Sequence, residues 1–87
     1  GAKGKSVKEQ TQDILNAIDK HLLAAGTDKS KLITTSIWLS DISKFAEMNE
    51  VWDKWVSPGN TPARATVEAK LAAPEFTVEI MVTAAID

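Results

Sequence analysis

The sequence has 87 residues, a formal net charge of -2 and a hydrophobic fraction of 44%, values typical of one small globular domain with a thin core. It contains no cysteine and one histidine, which excludes disulfides, thiolate catalysis and a metal site built from cysteine or several histidines. The acidic balance argues against nucleic-acid binding, and no apolar run approaches the ~20 residues of a membrane span.

The first predicted element is a helix that begins at Ser6, after a tail over residues 1–5 that we expect to be mobile. Ser6 and Glu9 have the spacing of a capping box, in which each side chain binds a free backbone N–H of the other residue. An apolar stripe at steps of three and four follows, formed by Val7, Thr11, Ile14, Ile18 and Leu22. Gly26 suits the left-handed conformation that ends many helices. Residues 6–87 are expected to form a single domain.

A strand is predicted over residues 32–39, which are short and rich in β-branched side chains. Simple alternation places Ile33, Ile37 and Leu39 on one face of this strand. Leu32 and Trp38 lie on the other face. A strand with two apolar faces is covered on both sides, so we expect it at the centre of a layered structure.

The rest of the chain predicts a helix and two more strands. A stripe of Phe45, Met48, Trp52 and Trp55 indicates the helix, and residues 57–60 turn the chain. Residues 64–71 and 76–82 alternate around a turn at 72–75, which predicts a β-hairpin. Residues 32–71 should form a parallel crossover. The predicted fold is therefore α+β, with the order α-β-α-β-β and both helices on one face of a mixed sheet.

The carboxyl-terminal third carries a resemblance to a known family. Residues 62–68 (Pro-Ala-Arg-Ala-Thr-Val-Glu) and 78–80 (Val-Glu-Ile) are similar to the signature of the RidA/YjgF family, formerly called the L-PSP endoribonucleases. Residues 9–11, 24–26 and 45–49 resemble that family in the same order. The resemblance implies a chorismate-mutase-like fold. The family's opening β-hairpin and Ser-Gly-Gln segment, which line part of its pocket, are expected to be missing from this chain.

The resemblance also implies a function and a site. The implied reaction is hydrolysis of 2-imino acids and their enamine tautomers to 2-keto acids and ammonia, without cofactor or metal, in pockets between the subunits of a cytoplasmic homotrimer. Arg64 would bind the substrate carboxylate with its planar guanidinium, and Glu79 would polarise the attacking water. Thr66 and Asn49 are further substrate-binding candidates. If the predicted hairpin pairs about its turn, Arg64 and Glu79 lie on one side of the sheet.

Other interpretations stay open at this point. By spacing alone, Arg64 and Glu79 are more often a surface ion pair, Asn49 a capping or interface amide, and Glu68 a solvated partner of Lys70. The alternative functions are a small-carboxylate binding or sensor module of the same fold, a non-catalytic structural subunit and a ribonuclease. The net charge of -2 and the single histidine argue against the ribonuclease.

Overall fold

The computed structural model describes residues 5–56, 58–59 and 61–86. Its elements are helix α1 Val7–Ala24, strand β1 Leu32–Leu39, helix α2 Phe45–Trp55, strand β2 Ala63–Glu68 and strand β3 Val78–Ala84. Single turns of 3-10 helix, Lys29–Lys31 and Ile42–Lys44, lead into β1 and α2. The predicted α+β fold class is confirmed. The predicted tail, apart from Lys5, lies outside the described residues, as do positions 57 and 60 of the predicted turn.

The capping box predicted at the start of α1 is present. The Glu9 N–H donates to Ser6 Oγ over 3.1 Å, and the Ser6 N–H donates to Glu9 Oε1 over 3.0 Å. Beyond the other end of the helix, Gly26 has a φ of 84°, the left-handed conformation that costs glycine least. Between these ends, α1 buries one face, which consists of Val7, Gln10, Thr11, Leu15 and Leu22.

The three strands form a mixed sheet in the order β2-β1-β3. β1 pairs with β2 in parallel and with β3 in antiparallel orientation. The expected parallel pairing across residues 32–71 is confirmed, but the expected hairpin between 64–71 and 76–82 is wrong, because β1 lies between those two strands. Two physical reasons account for this order. The connection over residues 69–77 is longer than a tight hairpin loop, and pairing on both edges places the most apolar strand at the centre.

Both helices cover one face of the sheet. Residues that are paired across neighbouring strands point to the same face. Thr35, Ile37 and Leu39 of β1 therefore share the helix-covered face with their partners on β2 and β3. Ile37 and Leu39 are fully buried there, together with Leu15 of α1 and Met48 of α2. This single layer between sheet and helices is the core of the domain.

The predicted faces of β1 need one correction at the start of the strand. Leu32 is buried on the same side as Ile37 and Leu39, whereas Ile33 is 55% exposed. The pairing of β1 with β3 shifts in register between Leu32 and Thr34. A shift of one residue moves side chains to the opposite face of a sheet, so the alternation counted from the sequence fails at this point.

The second face of the sheet is open, since no helix in the described ranges packs on it. It exposes Ile33, Val67 and Met81 at 55%, 49% and 55%, with the half-buried Trp38 between them. We expected both faces of β1 to be covered, but within one chain the helices cover one face and the other is open. The open face is an apolar surface available for contact with another molecule.

Candidate functional site

Arg64 lies on β2 and points to the helix-covered side of the sheet, because it pairs with the buried Thr35 of β1. The residue is half-buried. Its Nη1 donates a hydrogen bond of 2.6 Å to Asn49 Oδ1. Its guanidinium carbon lies 5.5 Å from the ring centroids of both Phe45 and Trp52. These contacts hold the cation in a defined direction beside α2.

Helix α2 supplies all three partners of Arg64 from one face. Phe45, Asn49 and Trp52 follow each other at steps of four and three, the spacing that aligns side chains along a helix. Trp52 is almost fully buried, and Phe45 is 37% exposed. The apolar stripe that predicted this helix therefore has two roles. Its inner part packs in the core, and its outer part forms the wall against which the guanidinium lies.

The beginning of α2 is fixed by carboxylates rather than by a cap on the helix itself. Glu68 Oε2 accepts a hydrogen bond of 2.9 Å from the Ile42 N–H, which ties the end of β2 to the turn before α2. Asp41 Oδ1 accepts from the Ser43 N–H and from Ser43 Oγ, at 3.0 and 2.7 Å. These bonds hold the pKa of Asp41 below its usual range. Glu68, exposed but bonded, thus helps to place α2 relative to Arg64.

Arg64 has no carboxylate partner within the described residues. The ion pairs there are formed by other lysines and acids, and none involves Arg64. A guanidinium has five N–H donors, and Asn49 uses one of them. The faces of Phe45 and Trp52 stabilise the cation without neutralising it. The alternative of an ion pair between Arg64 and Glu79 is therefore wrong within one chain, and donors remain for an anion.

Two threonine hydroxyls lie on the same face of the sheet as Arg64. Thr66 stands two positions further along β2, and Thr35, which is 2% exposed, pairs directly with Arg64. Both Oγ1 atoms are buried without a hydrogen-bond partner among the residues that the structure describes. Arg64, Asn49 and Thr66 are thus brought to one side of the sheet. Thr35 was not predicted, because only the strand register shows that it is next to Arg64.

Glu79 lies elsewhere in the molecule. It pairs with Trp38 of β1, which places it on the open face, opposite to the side that carries Arg64. Strands β2 and β3 are separated by β1, which puts them roughly 10 Å apart at the usual strand spacing. Glu79 is exposed, and its carboxylate has no partner within residues 5–56, 58–59 and 61–86. One chain therefore does not bring Glu79 and Arg64 together, contrary to the expectation drawn from a hairpin.

Glu79 also lines a groove at the outer edge of β3. The groove has a volume of about 480 Å³ and mainly apolar walls, formed by Ile14, Leu71, Ala72, Phe76, Val78 and Ile80. Lys5, Gln10 and Asp13 supply its polar rim together with Glu79. Arg64 is not part of this groove. The two candidate functional groups thus belong to two separate regions of the surface.

Neither a metal-binding cluster nor a membrane-spanning helix is found in the described part of the chain. No group of three or more His, Cys, Asp or Glu side chains is placed to hold a metal ion there. None of its helices is long and apolar enough to cross a membrane.

Comparison with known proteins identifies the family. The family model described as Endoribonuclease L-PSP matches residues 2–86. The chain belongs to the RidA/YjgF family. It is 46% identical over 83 residues to a RutC family protein of Haemophilus ducreyi, which is 95% of this chain and 71% of that protein. A crystal structure of a YjgF family member from Neisseria meningitidis has a TM-score of 0.95 and 49% identity, over 98% of this chain and 71% of that one.

A more distant RidA/YjgF relative has an informative name. The chain is 33% identical over 76 residues to Reactive Intermediate Deaminase A, chloroplastic, of Arabidopsis thaliana, which is 87% of this chain and 40% of that protein. The chain spans about seven tenths of the length of the Haemophilus ducreyi and Neisseria meningitidis proteins. The match to the RidA/YjgF family model includes both Arg64 and Glu79, the residues that this fold holds apart within one chain.

Proposed function

We propose that this protein is a cofactor-free deaminase that hydrolyses 2-imino acids and their enamine tautomers, in sites shared between subunits of a cytoplasmic homotrimer. The observation that carries the proposal is Arg64, a directed and half-buried cation without an ion-pair partner among the described residues. Membership of the RidA/YjgF family and the relative named as a reactive intermediate deaminase support the choice of reaction.

The proposed reaction needs two groups from the protein. The free N–H donors of Arg64 bind the carboxylate of the 2-imino acid in a bidentate manner. Glu79 accepts a proton from a water molecule while the water oxygen forms a bond to the imine carbon. This addition converts the C=N bond into a C–N single bond, and Glu79 passes its proton to the nitrogen. The hydroxyl of this intermediate then gives its proton to the nitrogen through Glu79, the C–N bond breaks as ammonia leaves, and the C=O bond of the 2-keto acid forms. Thr66 contributes its hydroxyl to the substrate, and Asn49 contributes through its hydrogen bond to Arg64.

The separation of the two groups motivates the shared site. Arg64 and Glu79 lie on outer strands and on opposite faces of the sheet, which is too far apart for one small substrate. Glu79 of a second subunit satisfies the requirement if the open face, with Val67 and Met81, packs between subunits. A closed ring of three such heterologous contacts gives three equivalent sites.

Mixing two inactive variants tests the shared site. Arg64→Ala and Glu79→Gln chains are refolded together in equal amounts, and ammonia release from 2-iminopropanoate generated in situ is measured. If each site takes Arg64 from one subunit and Glu79 from the next, random mixing restores about a quarter of the parent rate. The control pairs Arg64→Ala with the double variant Arg64→Ala/Glu79→Gln, which contains no intact Arg64 and stays inactive.

The mixing experiment, together with pyruvate binding and light scattering, separates the shared-site deaminase from the alternative functions and assemblies. No recovery in mixed trimers, with their composition checked by native mass spectrometry, would contradict the shared site. A parent protein that binds pyruvate but releases no ammonia would instead be the carboxylate-binding module. Light scattering supplies the mass of the assembly, and a stable monomer at micromolar concentration would contradict the trimer.

A further inference from the structure

The amide of Asn49 is bonded at both ends. Its Oδ1 accepts the hydrogen bond of 2.6 Å from Arg64 Nη1, and its Nδ2 donates one of 3.2 Å to Asp53 Oδ2. Asp53 lies one helical turn further along α2 and has no other side-chain partner in the part of the chain that the structure describes. Asp53, Asn49 and Arg64 therefore form a chain of hydrogen bonds from the surface to the guanidinium.

These hydrogen bonds determine which way the amide group of Asn49 is turned. The oxygen and the NH2 group of an asparagine amide have nearly the same shape, and a half-turn of the amide exchanges them. Only the oxygen can accept a bond from a guanidinium. A carboxylate one turn away accepts hydrogen bonds and donates none, so it selects the amide orientation in which the oxygen faces Arg64.

The aromatic rings beside Arg64 do not determine the orientation of its guanidinium in the same way. Phe45 and Trp52 attract the guanidinium to their faces, but this attraction does not select which N–H points where. Asn49 accepts a hydrogen bond from Nη1, and the other donors of the guanidinium have no hydrogen-bond partner among the described residues. We propose that Asp53 is a positioning residue, which fixes the direction of Arg64 through Asn49 so that the free donors receive the substrate carboxylate.

The position of Asp53 in the helix argues against a purely structural role. Asp53 lies in the last turn of α2, where the helix dipole disfavours a negative charge. The other acids on this helix have different partners, since Glu47 pairs with Lys44 and Glu50 pairs with Lys8 and Lys54. A structural role predicts that Asp53→Ala lowers the melting temperature. Positioning predicts an unchanged or higher melting temperature together with a loosened Arg64.

A spectroscopic experiment tests the positioning without any ligand. Because its guanidinium lies 5.5 Å from the ring centroids of Phe45 and Trp52, the Nε–H signal of Arg64 should be shifted by their ring currents, so that its position in a ¹H–¹⁵N spectrum would report the direction of the side chain. Asp53→Ala should move this signal towards that of a solvated arginine, while Asp53→Asn, which retains an acceptor oxygen, should move it less. Glu50→Gln is the matched control, because it removes the same charge from α2 without touching Asn49. An unchanged Arg64 signal in Asp53→Ala would overturn the inference.

A binding experiment tests the consequence, which rests on the proposed function. Asp53→Ala should weaken pyruvate binding by about three- to tenfold in the parent background and leave it unchanged in an Asn49→Ala background. An equal loss in both backgrounds would show that Asp53 does not act through Asn49 and would overturn the inference. If the parent itself does not bind pyruvate, the proposed function fails, and the Arg64 spectrum still decides the positioning role.

Discussion

The two halves of the candidate site differ in how completely one chain builds them. The half formed by α2 and β2 holds Arg64 with a hydrogen bond to Asn49 and with two aromatic faces. The half at the edge of β3 leaves Glu79 exposed, with no side-chain partner among the described residues. Under the proposed function, this difference means that each chain builds its own carboxylate-binding arginine and presents Glu79 to a site on another chain.

The physical basis of this difference is the position of the two strands. β2 follows α2 in a strand–helix–strand unit, so the same unit brings Arg64 and its partners together through a short connection. Glu79 lies on the open face of the sheet, on which no helix in the described ranges packs.

The largest effect is expected from Glu79→Gln. Glutamine has the same shape as glutamate but does not accept a proton from water, so we expect kcat for imine hydrolysis to fall by about 10²–10⁴-fold. Pyruvate binding should change little, because Arg64 is unaffected. Glu75→Gln is the control, since it removes an exposed carboxylate from the same region. Equal losses in turnover and in pyruvate affinity would contradict the separation of the two roles.

A pair of aromatic truncations compares the stability of the two halves. Trp52 is 5% exposed beneath Arg64, and Phe76 is 42% exposed at the β3 groove. Trp52→Ala should lower the free energy of unfolding by about 3–5 kcal/mol, because it leaves a cavity in the core. Phe76→Ala should cost about 1 kcal/mol. Urea denaturation measures both values, and similar losses would show that the β3 edge is packed as tightly as the α2 half.

Substitution of Arg64 directly tests its proposed role in binding the substrate carboxylate. Arg64→Ala removes a charge-assisted contact worth about 1.5–3 kcal/mol, so pyruvate affinity should fall roughly ten- to hundredfold. Arg64→Lys retains the charge but loses the planar fork, and its affinity should lie between the two. Lys70→Ala removes an exposed positive charge just beyond β2 and should leave binding unchanged. Unchanged binding in a folded Arg64→Ala assembly would exclude Arg64 as the carboxylate anchor.

The local elements of the fold could be predicted from the sequence, whereas the strand partners could not. The capping box at Ser6 and the stop at Gly26 depend on residues close in sequence, and both are present. Alternation shows which residues share a face within one strand, but it contains no information about the neighbouring strand. The predicted hairpin failed for that reason, and the register shift after Leu32 changed a face that alternation alone had set.

Prediction of the candidate site was limited in the same way, because contacts between elements that are distant in sequence could not be predicted. The resemblance indicated Arg64 and Asn49 as candidates, and the fold brings them into contact. It did not indicate that Phe45 and Trp52, predicted as a packing stripe, also hold the guanidinium, because that contact depends on the distance between α2 and β2. The expectation that Arg64 and Glu79 share a face depended on the hairpin and failed with it.

The smallest predicted effect concerns the turn that leads into α2. Hydrogen bonds from Ser43 lower the pKa of Asp41, and those from Ser30 lower the pKa of Asp28 in the matching turn before β1. Because the pKa of each aspartate is lowered in the folded state, its ionised side chain stabilises the fold at pH values above the usual pKa of an aspartate. This stabilisation is lost as the pH falls through the pKa of the folded state. Asp41→Asn and Asp28→Asn should therefore each reduce the acid sensitivity of unfolding slightly, measured by urea denaturation between pH 2 and pH 6.

Because Asp41 alone precedes the helix that holds Arg64, Asp41→Asn should also weaken pyruvate binding slightly at neutral pH, while Asp28→Asn should not. Equal effects of both variants on binding would mean that the start of α2 does not control the direction of Arg64.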